Sequence, residues 1–310
     1  MRKVINATRL LAAAFCTSLL IISCQKDTTT EDLSAQEEEQ ASTATAESEA
    51  QSEAIFEDIF DNIMGVNAEV AIGGTGVFSG RTVSGLDAGG RMMDTYTVGC
   101  FTVTVDHLGG TAIYPIRVTT DFGTAGCTGR DGRTRYGKII TTYSGRMIIP
   151  GSSATTTFDG YRVGDISVSG THTTINQSTS SERKFVVEVG NGKLSWPNGN
   201  YVQRTSRRVI TQVEGLGTPL LPGDDVFTIT GSASGTVKRD DRAMSWESVI
   251  QEPLRKRFSC HWIVKGTVKT IRRNQSSTSP WVGVLNYGTG TCDNKATLTI
   301  NGVERQITLH

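Results

Sequence analysis

Only four histidines, His107, His172, His261 and His310, occur in 310 residues, and none belongs to a recognisable catalytic or metal-binding pattern. The chain has no G-x-S-x-G, so no nucleophile elbow is signalled. It has no H-E-x-x-H and no C-x-x-C either, and the histidines are scattered, so neither a metal site nor a cofactor is expected. Long apolar runs are also missing. The run Leu10 to Ile22 is about a dozen residues, short of the ~20 needed to cross a hydrocarbon core as a helix. Basic and acidic residues balance at 31 each. No RNP-type aromatic strand is present, so specific nucleic-acid recognition is not expected.

What is present begins with an address. Arg2, Lys3 and Arg9 precede the short apolar run, a basic n-region and h-region that read as an export signal over residues 1–23. The run ends in Ile21-Ile22-Ser23-Cys24, which resembles the bacterial lipobox, and this resemblance implies acylation of Cys24. Gln25-Lys26-Asp27 resembles the surface-export tag of Bacteroidota lipoproteins, although Thr28 and Thr29 stand where that tag continues with acids. Asp27-Thr28-Thr29 is similar to the O-glycosylation sequon of the same phylum. The ending LNYGTGTCDNKATLTINGVERQITL is similar to uncharacterised exported β-proteins of that group. Together these imply a lipid-anchored outer-membrane protein facing the cell surface, and they imply no activity. More than one acyl chain gives stable attachment.

Residues 24–52 are Ser, Thr, Ala, Gln and Glu with little apolar content, a composition expected of an acidic disordered tether. Residues 53–65 carry Ile55, Phe56, Ile59, Phe60 and Ile63 at helical spacing before Gly65, which predicts a short amphipathic helix. From residue 66 to 310 the texture is Thr, Val, Ile and Gly with period-two alternation, as in Phe101–Val105, Phe185–Val189 and Phe227–Thr230. Asp159-Gly160, Asn191-Gly192, Asn198-Gly199 and Asn301-Gly302 read as hairpin turns. The expected fold is all-β, a large antiparallel sheet or β-sandwich built of two loosely repeated halves and preceded by the short helix. The repeat aligns DFGTAGC (121–127) with NYGTGTC (286–292), and ISVSGTHTTI (166–175) echoes FTITGSASGTV (227–237). Cys16 leaves with the signal and Cys24 takes lipid, so four cysteines remain in an exported body. The repeat favours pairing Cys100 with Cys127 and Cys260 with Cys292, each loop contributing about 3 kcal/mol if unstrained.

Charge is unevenly placed. Between Gln25 and Asn62 about twelve acids face one base, while the β-body carries a surplus of about eight positive charges. Arg204, Arg207, Arg208, Arg255, Lys256 and Arg257 are therefore candidate polyanion-binding residues, set against a solvated sheet surface. Trp196 and Trp281 flank prolines at expected loop tips and are candidate glycan platforms. The adjacent acids Asp224-Asp225 and Asp240-Asp241 fit turns better than calcium sites. The leading expectation is a non-catalytic binding or envelope-structural role toward a glycan, lipopolysaccharide or another polyanion. A surface polysaccharide-acting enzyme and a periplasmic lipid or lipopolysaccharide handler are the alternatives. Carboxylates clustered in a cleft distinguish the first of these, and an open greasy groove the second.

Overall fold

The computed structural model describes residues 33–65, 95–98, 100–109, 112–129, 132–218, 222–273 and 278–309. Cys24 and the residues before it lie outside this set. The described residues from Ala35 onward form one compact unit. Among the described residues one α-helix, α1 (Ala35–Gly65), precedes fifteen strands. The first seven are β1 (Thr95–Val98), β2 (Phe101–His107), β3 (Ile116–Asp121), β4 (Cys127–Thr128), β5 (Thr134–Tyr143), β6 (Ser153–Val163) and β7 (Ile166–Asn176). Then come β8 (Lys184–Ser195), β9 (Tyr201–Glu214), β10 (Val226–Arg239) and β11 (Arg242–Arg257). The last four are β12 (Ile263–Arg272), β13 (Gly283–Thr289), β14 (Lys295–Ile300) and β15 (Val303–Thr308).

All fifteen belong to one antiparallel sheet whose strands pair in chain order, with the short β4 paired to β5 off the main path. Of the two all-β arrangements the alternation allows, the single large sheet is the one present. Among the described residues β1 and β15 are its two edges. Asn301-Gly302 makes the two-residue turn between β14 and β15, with Asn301 at φ 51°. Asn191-Gly192 and Asp159-Gly160 depart from expectation, because both lie inside strands, β8 and β6. There they are bulges. The β8 register slips between Val189 and Gly192 against β9, and β7 slips opposite it at Gly170. A Cβ on Gly170, at φ 115°, would stand 2.7 Å from the Asn191 carbonyl oxygen, so only glycine fits that crossing. Bulges of this kind bend and coil a sheet.

The sheet coils around α1. Every residue from Ile55 to Met64 is buried, acids included, whereas a helix lying on a surface keeps one wet face. Phe60 packs edge-on between Phe185 of β8 and Phe227 of β10, with centroids 5.9 and 6.3 Å away. The helix is longer than expected. It starts at Ala35, so residues 35–52 are helical and are not a tether. Ala41, Thr45, Ala46, Ser48, Glu49, Ser52 and Glu53 are buried, continuing the apolar stripe of residues 55–64 with small and acidic side chains. The small ones permit close approach, since a Cβ on Gly283 of β13 would lie 3.1 Å from that of Ala46.

The disulfides are Cys100–Cys127 and Cys260–Cys292, with Cα atoms 5.3 and 5.9 Å apart. They pin the equivalent hairpins β2–β3 and β12–β13, each near an edge of the sheet. Phe60→Ala should lower unfolding free energy by about 3–5 kcal/mol, because the aromatic cluster cannot collapse into the space left. Equilibrium urea denaturation followed by tryptophan fluorescence measures it.

Candidate functional site

Period two divides the basic clusters between the two faces of the sheet. On β9, Arg204 and Arg208 share one parity and point inward, at 3 % and 2 % exposure, while Arg207 points out. Arg208 grips Glu53 with two nitrogens, Nη2 at 2.6 Å and Nε at 3.1 Å. Arg204 pairs with the same carboxylate and donates to Ser52 Oγ at 3.0 Å. Ser248 of β11 donates to Glu49 at 2.9 Å. Further along the helix Arg135 holds Asp58 at 2.7 Å and Lys256 holds Asp61 at 3.0 Å. At its start Arg242, Arg272 and Arg305 hold Glu37, Glu38 and Glu39.

Arg204, Arg208 and Lys256 are therefore not a polyanion surface. Their charges are spent on α1, and solvent does not reach them. Arg255 pairs with Glu214, and Arg257 is exposed on the outside. Trp196 and Trp281 are half-buried and pack against the core, so neither stands at a loop tip as an open platform. Arg239 lies over the Trp196 ring, 5.4 Å from its centroid. His172 is fully buried, and that burial pushes its pKa down to about 4. Asp224 accepts from the Thr218 hydroxyl and Asp225 from Gln212, so this acidic pair serves its loop. Asp240, at φ 52°, shapes the β10–β11 turn. Among the described residues no group of three or more metal-ligating side chains converges.

A concavity of about 770 Å³ crosses the outer face of the sheet from β7 to β12. One row across it follows the strand register: Thr173, Glu188, Arg207, Ser232, Val249 and Lys269. The next row has Thr205, Ser234, Glu247 and Ile271 in register on β9 to β12. Small side chains at the middle (Gly190, Thr205, Ser232 and Ser234) and longer ones around them leave a trough. Glu188 meets Arg207 at 3.3 Å, and Glu247 leans to Arg273 at 3.7 Å. Thr205 and Ser234 also line an adjoining space of about 270 Å³ with Gln203, Thr236 and Ser245, which extends the trough along β10. Its chemistry is that of hydroxyls, carboxamides and paired charges set beside the apolar side chains of Val249 and Ile271. The backbone beneath is consumed by the sheet, so side chains alone are available to a ligand.

No family model, curated protein or solved structure matches this chain.

Sequence reasoning singled out Arg207 in this trough and missed the rest. A signal existed in the echo of segments 166–175 and 227–237. Those two stretches supply Thr171 and Thr173 on β7 and Ser232 and Ser234 on β10. Small hydroxyl residues at outward parity are what an open polar face requires.

The ionic interior has its own pH signature. Burial alone would raise Glu53, but Arg204 and Arg208 overcome it and hold the carboxyl down to about 2. Glu57 lies one turn on, and its Oε1 accepts no hydrogen bond from the described residues. Burial, with Glu53 and Asp61 adding to it against Lys256 and Arg208, pushes Glu57 up to about 8. In the unfolded chain Glu57 loses its proton near pH 4.5, so between 4.5 and 8 the folded state binds more protons. Stability then falls as pH rises, by as much as about 1.4 kcal/mol per pH unit from this group. Glu53 acts oppositely, stabilising above about pH 4.5 and losing that contribution as pH falls toward 2. Glu57→Gln, which mimics the neutral acid, should be more stable than the native chain at pH 8, with the gap nearly closed at pH 4, below the pKa of the unfolded chain. Urea midpoints at the two pH values measure this.

Proposed function

We propose that this chain is an outer-membrane lipoprotein, anchored through Cys24, whose β-body binds a hydroxyl-rich glycan in the trough across β7–β12 without cleaving it. The trough itself carries the reading. An extended peptide is captured by backbone pairing at a sheet edge, whereas the trough lies mid-sheet and offers side-chain hydroxyls, amides and charges. A glycan presents the matching groups. The outward residues of β9, such as Gln203, Thr205 and Arg207, are exposed and polar, which suits an aqueous setting over a lipid-facing barrel. With the inner face filled by α1, and hydroxyls and paired charges set among apolar side chains in the trough, a sugar, which has hydroxyl edges and an apolar ring face, is favoured over a lipid.

One observation favours the enzymatic alternative, because Glu188 and Glu247 line the same trough. Their strands are three spacings apart, about 14 Å at the backbone. Glycosidases place their two carboxyl groups about 5–9.5 Å apart, and Glu247 bends away toward Arg273. Binding without cleavage is the better fit.

The experiment is biosensor binding of the mature protein to a panel of neutral and acidic polysaccharides, with reducing ends assayed in the same samples. Ser234→Trp fills the trough centre and should weaken binding at least about tenfold. Native protein that binds no polysaccharide, or a variant that binds as well as native, would contradict the proposal. Released reducing ends would favour the enzyme.

A further inference from the structure

The seven basic groups Arg135, Arg204, Arg208, Lys256, Arg242, Arg272 and Arg305 each hold a carboxylate on α1. Arg239, at the end of β10, reaches the same helix and, among the described residues, holds no carboxylate. It donates to Ser48 Oγ at 3.1 Å and rests on the Trp196 ring. Its guanidinium instead lines a cleft of about 340 Å³ between α1 and the edge strand β15. Glu47 stands in the same cleft, and among the described residues no cation lies within ion-pair distance of its carboxylate. Partial burial raises the Glu47 carboxyl, against the pull of Arg239. Gln306 and Thr308 supply polar groups on the β15 side, and Ala50 and Leu309 add apolar surface.

A cation and an anion thus line one small cleft without pairing, and Arg239 is held by Ser48 and Trp196. An anionic ligand would set its charge beside Glu47, and a cationic one beside Arg239. A ligand carrying both charges satisfies each. We propose that this cleft binds a small zwitterion, an amino acid or short peptide, with its carboxylate on Arg239 and its ammonium on Glu47. The planar guanidinium suits a carboxylate because it donates two parallel hydrogen bonds. The volume is at the lower end of small-molecule sites.

Isothermal titration of the mature full-length chain with the dipeptide Ala-Ala tests this, beside N-acetyl-Ala-Ala, which lacks the ammonium, and Ala-Ala-amide, which lacks the carboxylate. Ala-Ala should bind at millimolar concentration or below, and each blocked form at least about tenfold more weakly. Glu47→Gln breaks no ion pair, so it should fold normally and weaken Ala-Ala without weakening N-acetyl-Ala-Ala. Arg239→Gln should weaken Ala-Ala without weakening Ala-Ala-amide. No binding of Ala-Ala by the native chain, or equal binding of the blocked forms, would overturn the proposal. Ser234→Trp in the trough should leave Ala-Ala binding unchanged, and its loss there would place the peptide in the trough and overturn the cleft. Failure of glycan binding leaves these outcomes untouched, because the two sites share no residue.

Discussion

Two glutamates one helical turn apart, Glu49 and Glu53, meet two arginines four residues apart on one strand, Arg204 and Arg208, with almost no solvent at either. Removing four charges from water costs several kcal/mol per ion, and the attraction repays it only with good geometry. Here bidentate contacts and the hydroxyls of Ser52 and Ser248 supply that geometry. Once fixed, the cluster sets the register of α1 against β9, because a slip of one residue on either element would strand charge in the core. The constraint spreads from there, to Arg135 on Asp58 and Lys256 on Asp61. Loss of one partner, as in Glu53→Gln, leaves the rest buried and uncompensated. Pairs of this kind serve specificity of packing more than net stability.

The same alternation that buries Arg204 and Arg208 leaves Arg207 outside. One strand therefore contributes to a charged interior and to a polar exterior, and the two faces answer to different demands. The inner face must match one helix, position by position. The outer face is freer, and between β7 and β12 it has small hydroxyl residues where bulk would fill the trough. The apparent contradiction of a neutral chain with an acidic front and a basic body resolves in the same way. The acids of residues 37–61, Glu47 and Glu57 apart, are counter-ions of the sheet's bases, held in cis.

Much of this was written plainly in the residues. Alternation marked the strands, and the repeat of Cys100–Cys127 with Cys260–Cys292 marked the disulfides. The front half of α1 was hidden because its buried face is Ala41, Thr45, Ser48, Glu49, Ser52 and Glu53, residue types that burial scales count as solvated. Alanine is nonetheless the best helix former, and those positions recur at three and four like the apolar ones after them. Arg204, Arg207 and Arg208 read as one cluster by proximity, though parity already separated them. Asn191-Gly192 carried turn chemistry, and the same positive φ served a bulge instead. The trough depends on which strands lie side by side, which no single strand reveals.

Amide hydrogen exchange of the intact native chain, read peptide by peptide, tests the central claim most directly. If the acidic segment is the counter-ion core of the sheet, amides of residues 41–53 exchange as slowly as those of 55–64 and of β8 to β10. Coil-like exchange of 41–53, with the strands and residues 55–64 protected, would contradict the account and return that segment to a tether.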